Sequence, residues 1–216
     1  VGVQLLDNTL NGETVGPILT ALAENLLRHL VPRVEQEYAD AHGVLPGGGL
    51  AIVAFGKLGG CELLPGSDLD LVYIYDNAEG EASIGDKPLM PTVYFIRLCQ
   101  RLSTAISSQT GEGRLYEVDN RLRPAGNSGP LATQLSSFAG YYDLSAGGEA
   151  WVWEHMALTR ARVTHGSAEL RSRLEGIIRD ALTQKRNPDA VVVEVSKMRA
   201  RIAKQHPGKS PWDIKY

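Results

Sequence analysis

Residues 50–75 read LAIVAFGKLGGCELLPGSDLDLVYIY, and the order of side chains in this stretch sets the architecture. Residues 50–55 form a continuous apolar run, which is typical of a strand buried on both faces. Residues 56–66 hold four glycines and one proline, a composition typical of turns. Residues 69–75 are rich in β-branched and aromatic side chains and predict a second strand. The stretch therefore predicts two strands joined by a glycine-rich loop.

The segments on either side of these strands show the apolar spacing of helices. Helices are predicted at 17–41, 91–107, 136–144, 148–163, 168–184 and 188–205, and further short strands at 114–119 and 130–133. Pro32 is expected to kink the first helix or split it in two. The predicted fold class is α+β, with an N-terminal helical segment at 1–48, an α/β core at 49–145 and a helical region at 146–216. Because the chain starts at Val1 without a methionine, we expect a piece of a longer protein.

The composition is ordinary for a globular protein, with 43% hydrophobic and 22% charged residues. The net charge of −3 provides no basic footprint, so we expect no nucleic-acid partner. No apolar run approaches the roughly 20 residues that span a bilayer. No secretion signal is visible either, so a cytoplasmic location without membrane attachment is expected. The two cysteines, Cys61 and Cys99, are too few for a disulfide framework or a zinc site.

Two carboxylates lie at the start of the second predicted strand. Asp68 and Asp70 are two residues apart, so on a strand they project to the same face. Asp119 ends a later predicted strand, and it completes the cluster if that strand lies beside the second one. Alone, an Asp-x-Asp pair is weak evidence, because aspartate is common in turns. Three convergent carboxylates, however, suit a pair of Mg²⁺ ions about 3.5–4 Å apart that clamp an in-line phosphoryl displacement.

The loop between the two strands has the chemistry of a phosphate cradle. Gly56 and Gly66 let the backbone approach a triphosphate, and the N–H groups of such a loop favour its negative charge. Ser67 adds a hydroxyl donor, and Lys57 adds a positive charge. The order of a P-loop, G-x-x-x-x-G-K-[ST], is absent. Lys57 therefore has an equally good interpretation as a surface lysine on a turn.

Several motifs in order resemble one known family. They are 54–63 (AFGKLGGCEL), 66–70 (GSDLD), 116–124 (YEVDNRLRP), 153–162 (WEHMALTRAR) and 212–215 (WDIK). The arrangement of strand, glycine loop, Asp-Leu-Asp and later aspartate resembles the DNA polymerase β-like nucleotidyltransferase superfamily. The residues of these motifs are more closely similar to those of the bacterial glutamine synthetase adenylyltransferase family, over most of residues 50–165 and near the C-terminus.

This resemblance implies a polymerase β-like mixed sheet and the transfer of AMP from ATP to a tyrosine hydroxyl of glutamine synthetase, which regulates nitrogen assimilation. It also implies two Mg²⁺ ions and, as a second partner, a nitrogen-signalling regulatory protein. Carried over by motif, the catalytic metal carboxylates are Asp68, Asp70 and Asp119, and the triphosphate loop includes Gly56, Lys57, Gly66 and Ser67. Arg121 and Arg123 are further candidates for phosphate contacts, since guanidinium forks suit phosphate oxygens. Their alternative interpretation is structural pairing with Glu117 or Glu154.

Other functions stay open at this point. The family carries two similar domains, one that adds AMP and one that removes it by phosphorolysis. The sequence of residues 149–155 is similar to that of the adenylylating domain, so addition of AMP is the first hypothesis and removal of AMP the second. A third hypothesis is a non-catalytic nucleotide-sensing module. A nucleotidyltransferase acting on nucleic acid is disfavoured by the net charge.

The remaining conspicuous side chains have structural interpretations. Trp151, Trp153 and Trp212 are predicted to pack in the core or between helices, because aromatic residues dominate core energetics. His155 lies in an apolar stretch and is predicted to be a buried structural histidine rather than a general base. The arginines of 160–173 are predicted to form a solvated helix face.

Overall fold

The computed structural model describes residues 11–77 and 81–205, and at its centre lies a mixed five-stranded sheet. In chain order the strands are β1 (Gly49–Ala54), β2 (Leu69–Asp76), β3 (Gln109–Thr110), β4 (Gly113–Arg114), β5 (Val118–Asp119), β6 (Ala132–Gln134) and β7 (Arg162–His165). β1 pairs antiparallel with both β2 and β7. The other side of β2 is shared, because β5 pairs with its first residues and β6 with its later ones, both in parallel. β3 and β4 form a separate small hairpin.

Helices cover both faces of this sheet. They are α1 (Gly12–His42), α2 (Gly56–Gly59), α3 (Pro91–Ser107), α4 (Leu135–Tyr142), α5 (Val152–Leu158), α6 (Ala168–Thr183) and α7 (Pro188–Gln205). Asn11 caps α1 by accepting a hydrogen bond from the Thr14 amide (2.9 Å), as its short polar side chain favours. α1 runs through Pro32 as one helix, so the expected split does not occur. No helix in 11–77 or 81–205 combines the length and apolar character needed to cross a membrane.

The alternation of side chains along β1 divides the core into two layers. Leu50, Ile52 and Ala54 pack toward α1 and α3, whereas Ala51, Val53 and Phe55 pack toward α4, α5 and α6. Both faces of the strand are buried, which explains why its sequence is continuously apolar rather than alternating. A mixed sheet between two helical layers confirms the predicted α+β class.

The helix predicted at 148–163 is wrong in its second half. α5 ends at Leu158, and the chain then forms β7, whose Val163 lies in register with Val53 of β1. Val163 is 3% exposed and packs in the core beneath α6. Pairing with the edge of β1 therefore stabilises a strand here more than the local apolar spacing stabilises a helix. The division at residue 145 stays a prediction, but one strand of the sheet comes from beyond it.

The strand predicted at 114–119 is broken in two. Arg114 at its start joins the β3–β4 hairpin, and only Val118 and Asp119 reach the central sheet. The Leu69 amide donates to the Glu117 carbonyl (2.9 Å), which brings the second piece alongside the beginning of β2. The motif at 212–215 lies outside the described residues.

Candidate active site

Two of the predicted carboxylates lie side by side at one edge of the sheet. Asp70 of β2 and Asp119 of β5 are register partners on parallel strands, so both side chains project to the same face. The Asn120 side chain fixes this pairing, because its Nδ2 donates to the carbonyl of Leu71 (2.7 Å). Residues almost 50 positions apart in the chain are thus brought to one point.

The charges around Asp70 disfavour its ionised form. Burial, and then the neighbouring carboxylates of Asp68 and Asp119, raise the pKa of Asp70 to about 6. The positive charges of Arg121 and Lys57 act in the opposite direction but do not cancel these effects. The ionised form of Asp70 is therefore incompletely compensated, mainly because the carboxylate is partly buried and also because two acids lie near it.

The glycine loop lies directly against Asp70. The amide of Phe55 donates to the Asp70 carbonyl (2.9 Å), and the chain then turns at Gly56 with φ +52°. A Cβ placed on Gly56 would lie 2.0 Å from Oδ2 of Asp70, so no other residue fits without displacing the carboxylate. Only glycine combines this positive φ with such a close approach. The loop backbone and the carboxylate therefore face the same small space.

The segment before Asp68 is a tight turn with a defined role for Ser67. The Ser67 amide donates to the Leu64 carbonyl (3.0 Å), and its hydroxyl accepts from the Leu64 amide (3.1 Å). Pro65 followed by Gly66 with φ +76° has the sequence and backbone preference of a type II turn. In this turn the Ser67 hydroxyl acts as an acceptor, which leaves its proton available for a hydrogen bond to a ligand.

Arg121 is bound to Asp119 rather than to either of the acids considered from the sequence. Its amide donates to Oδ1 of Asp119 (2.8 Å), its Nε reaches both carboxylate oxygens (3.0 and 2.8 Å), and its Nη2 also contacts Oδ2. Hydrogen bonding from Arg121 is the main reason that the pKa of Asp119 is lowered. The Arg121 side chain is 73% exposed and that of Asp119 only 14% exposed. The guanidinium thus covers the carboxylate from the solvent side.

Arg123 binds backbone instead of a carboxylate. Its Nη1 donates to the Asn120 carbonyl (2.7 Å) and its Nε to the Gly129 carbonyl (3.2 Å). These bonds close the loop that follows β5. The structural pairing of Arg121 and Arg123 with Glu117 or Glu154 is therefore wrong: Glu117 accepts from Arg114, and Glu154 accepts from the Tyr141 hydroxyl.

A cleft of about 420 Å³ opens next to these groups. Asp68, Asp119, Arg121 and Arg123 line it together with Asn127 and Leu131. Four of the predicted site residues thus share one cleft, and Asp70 and Gly56 adjoin it through the pairing of β2 with β5. Its volume lies within the range of about 300–1,000 Å³ that is usual for small-molecule sites.

Arg162 is a residue of the site that the sequence interpretation missed. From β7 it donates to the carbonyls of Leu58 (2.9 Å) and Gly59 (3.2 Å) in the glycine loop, and it forms an ion pair with Glu24 of α1. Arg160 forms a two-point pair with Glu62 at the end of the same loop (2.6 and 3.1 Å). Neither arginine lies on a helix, so the predicted helix face is wrong here. The only signal in the sequence was their place in the motif at 153–162.

The predictions for His155 and Trp151 have opposite outcomes. His155 is buried, and its ring nitrogens lie 3.1 Å from the Trp151 carbonyl and 3.4 Å from the Tyr142 carbonyl, which confirms a structural histidine. Trp151 is 63% exposed, so its predicted core packing is wrong. The backbone of Trp151 is what the fold uses, since its amide donates to Oε2 of Glu154 (2.8 Å) at the start of α5.

The donor chemistry of the site fits a hard divalent cation, although its present arrangement does not form a closed metal site. In the part of the chain that is described, no three His, Cys, Asp or Glu side chains are grouped so as to hold an ion. Both carboxylate oxygens of Asp119 are bound by Arg121. Carboxylate oxygens are nevertheless the preferred ligands of Mg²⁺, and the charge concentrated at Asp70 is what a cation would neutralise.

Comparisons with known proteins match the whole chain to one family. The family model of glutamate-ammonia ligase adenylyltransferase matches residues 1–177. Proteins from Brucella suis biovar 1 (strain 1330) and Rhizobium meliloti (strain 1021) are 44% and 45% identical over 216 residues. A protein from Mesorhizobium japonicum is 43% identical over the same length. All three are named bifunctional glutamine synthetase adenylyltransferase/adenylyl-removing enzyme, and in each case the match covers 100% of this chain.

The chain spans only 22% of the length of these relatives. The family match covers the glycine loop, the paired carboxylates of β2 and β5, and the strand that carries Arg162. The chain therefore belongs to the glutamate-ammonia ligase adenylyltransferase family.

Proposed function

We propose that the protein transfers AMP from ATP to a tyrosine hydroxyl of glutamine synthetase. The observation that carries the proposal is the pairing of Asp70 with Asp119 directly beneath the Gly56 turn. This pairing puts two carboxylates and a phosphate-compatible backbone at one point, as a nucleotidyl transfer requires. The names of the relatives supply the acceptor protein, and the matched chain is 22% of the length of each relative.

We infer that Asp68, Asp70 and Asp119 hold the two Mg²⁺ ions. Bound there, the ions would neutralise the triphosphate and polarise the attacking and leaving oxygens. The negative charge of Asp70 is poorly compensated by the residues around it, so a cation would stabilise it. The negative charge of Asp119 is compensated by Arg121 as long as no metal ion is bound. Since the Arg121 side chain is largely exposed, it is free to turn from Asp119 toward phosphate oxygens.

The loop residues bind and orient the triphosphate in this proposal. The backbone at Gly56 approaches Asp70 without a side chain in the way, Lys57 adds a positive charge, and Ser67 offers a hydroxyl proton. The acceptor hydroxyl reaches the α-phosphorus from the cleft beside Asp119. Catalysis then consists mainly of positioning and of neutralising charge, as is general for phosphoryl transfer.

Substitution of Asp70 tests the proposal. Asp70→Asn is expected to abolish the transfer of labelled AMP to glutamine synthetase, because the central carboxylate loses its charge while keeping its shape. Asp180→Asn is the matched control, since this aspartate is exposed on α6, away from the cleft, and should leave transfer unchanged. Undiminished transfer by Asp70→Asn, with circular dichroism showing an intact fold, contradicts the assignment.

The same site also fits the reverse reaction, since the names of the relatives include an adenylyl-removing activity. Incubation of AMP-modified glutamine synthetase with inorganic phosphate distinguishes the two directions. Release of ADP in that assay, with no labelled AMP incorporated in the forward one, would assign removal. ATP binding without turnover in either assay would assign a nucleotide-sensing module. The nitrogen-signalling regulatory partner stays a prediction.

A further inference from the structure

A second groove, unrelated to the carboxylates, runs between α1 and α3. Its volume is about 540 Å³, within the usual range for small-molecule sites. α1 contributes Tyr38, His42 and Glu37, and α3 contributes Arg97, Arg101 and Thr104, with smaller apolar and amide groups between them. None of the residues assigned to the proposed reaction lines it.

Arg97 and Arg101 make the groove basic. They lie one helical turn apart on α3, so their side chains project from the same face. Both are exposed, and neither takes part in any ion pair formed within residues 11–77 and 81–205. Glu37 is the single acidic residue among those that line the groove. Two guanidinium groups therefore face one carboxylate that does not pair with them.

Tyr38 lies beneath these arginines with its hydrogen-bonding capacity unused. It is 2% exposed, and its hydroxyl has no hydrogen-bond partner. Burial raises the pKa of Tyr38, whereas Arg97 and Arg101 lower it, so both guanidinium charges act directly on the hydroxyl. The guanidinium carbon of Arg101 lies 5.8 Å from the centroid of the tyrosine ring. A buried polar group without a hydrogen-bond partner is rare in folded proteins, and here the group belongs to a residue that lines the groove.

We infer that this groove binds an oxyanion, a carboxylate or phosphate group, between Arg97 and Arg101, with the Tyr38 hydroxyl as a third donor. The fork of a guanidinium matches the oxygens of both groups, and two forks one turn apart hold such a group from two sides. Because Arg101 is exposed and lies across the Tyr38 ring, a shift of its side chain opens the hydroxyl to the ligand. Thr104 adds a neutral donor at the rim.

Two sources supply this chemistry, a small anionic metabolite and the acidic side chains of a protein segment. The decisive measurement titrates the protein with inorganic phosphate, with succinate and with a hexaglutamate peptide. In the proteins that keep both arginines, the Nε–Hε signals of Arg97 and Arg101 are followed by NMR, and in the variant that lacks them the backbone amide signals of residues 37, 38 and 104 are followed instead. Affinities are taken from the saturation of these signals, which report on the groove alone, so binding of phosphate at the glycine loop does not interfere.

Three variants accompany the titration. Arg97→Gln with Arg101→Gln removes both charges at exposed positions and is expected to weaken binding at least about tenfold, because hydrogen bonds to charged groups are lost. Tyr38→Phe keeps the ring and is expected to weaken it about threefold or more through loss of one neutral donor. Arg199→Gln with Arg201→Gln removes the same charge from α7 and should leave affinity unchanged.

Each outcome decides the matter. Saturable shifts with phosphate or succinate support a small-molecule source, and shifts with hexaglutamate alone support an acidic protein segment. Absence of saturable shifts with all three probes overturns the inference. Equal loss of affinity in the α7 double variant also overturns it, because binding would then reflect only the overall charge.

Discussion

At the scale of single residues, a carboxylate and a glycine of the site are held in environments that are unfavourable for most residues. Asp70 is kept partly buried among other carboxylates, which raises its pKa to about 6. Gly56 is held at positive φ against the oxygen of that same side chain. Such local costs are tolerated where function requires them and the surrounding fold enforces them. Here the buried strands β1 and β2, on either side of the loop, hold both residues in place.

Gly56→Ala is expected to impair both folding and transfer. The new Cβ would lie 2.0 Å from Oδ2 of Asp70, so the loop and the carboxylate must separate. Gly147→Ala is the matched control, because Gly147 is not one of the site residues and also has a positive φ of +82°, but nothing lies within 4 Å of its added Cβ. The control should lose only the backbone term of roughly 1–2 kcal/mol. Urea denaturation and labelled AMP transfer measure the difference; equal losses in the two variants would contradict the close packing.

Asp70→Asn is expected to stabilise the metal-free protein, and only at higher pH. The folded-state pKa is raised from 3.8 to about 6, so the wild-type protein loses stability as pH rises through about 6. Asparagine carries no charge and avoids this loss. The gain should reach about 1–2 kcal/mol near roughly pH 8, since solvent screens a partly exposed carboxylate, and should vanish near roughly pH 4. Thermal unfolding at both pH values checks this; an equal gain at both would exclude the charge as its cause.

At the scale of elements, the glycine loop is supported by a distant strand. Arg162 of β7 binds two carbonyls of α2 while pairing with Glu24 of α1. Gly59 allows this contact, because a Cβ there would lie 1.9 Å from the Arg160 carbonyl. The position of the loop is therefore set by three elements, β1, β7 and α1, rather than by its own sequence.

Arg162→Gln is expected to raise the KM for ATP more than it lowers kcat, because it loosens the loop without touching the carboxylates. Hydrogen exchange of the loop amides should accelerate in the same variant. Arg171→Gln is the control, since Arg171 also binds a backbone carbonyl, that of Val163 (2.7 Å), but none in the loop. A similar effect of both variants on KM would indicate general destabilisation instead of loop positioning.

At the scale of the whole molecule, the sheet unites segments from both sides of residue 145. One layer of the core is built from β1 and β2 together with α4, α5, β7 and α6. Removing everything after residue 145 would expose the inner face of β1 and the buried side chains of β2 that pack on it. The carboxylate site depends on these same two strands.

Truncation tests this dependence. A chain ending at residue 145 is expected not to fold, because it lacks the buried Leu158, Val163, Leu170 and Leu174. A chain ending at residue 187 removes α7, in which no side chain of residues 188–204 is fully buried, and should retain a cooperative thermal transition. Circular dichroism of the two proteins decides. Cooperative unfolding of the shorter chain would show that residues up to 145 form an independent domain.

Local sequence was sufficient for the central strands and for most helices. Strands β1 and β2 and helices α3, α6 and α7 begin and end within one or two residues of their predicted limits, because apolar spacing and terminal prolines are local signals. Strand β7 was missed because its pairing with β1 depends on a partner more than 100 residues away. The ion pair between Arg121 and Asp119 was missed for a different reason, because Asp119 is close in the chain but the choice among several nearby acids depends on backbone geometry.

The amino-acid order alone thus established the α+β class and the glycine loop, and it predicted Asp68, Asp70 and Asp119 as the carboxylates of the site. Each of these depends on residue type and short spacing, which act within a few positions of the chain. The side-by-side placement of Asp70 and Asp119, the support of the loop by Arg162 and the basic groove between α1 and α3 required the folded chain. They arise from contacts between distant segments, whose free energy depends on distances and directions that no local pattern encodes.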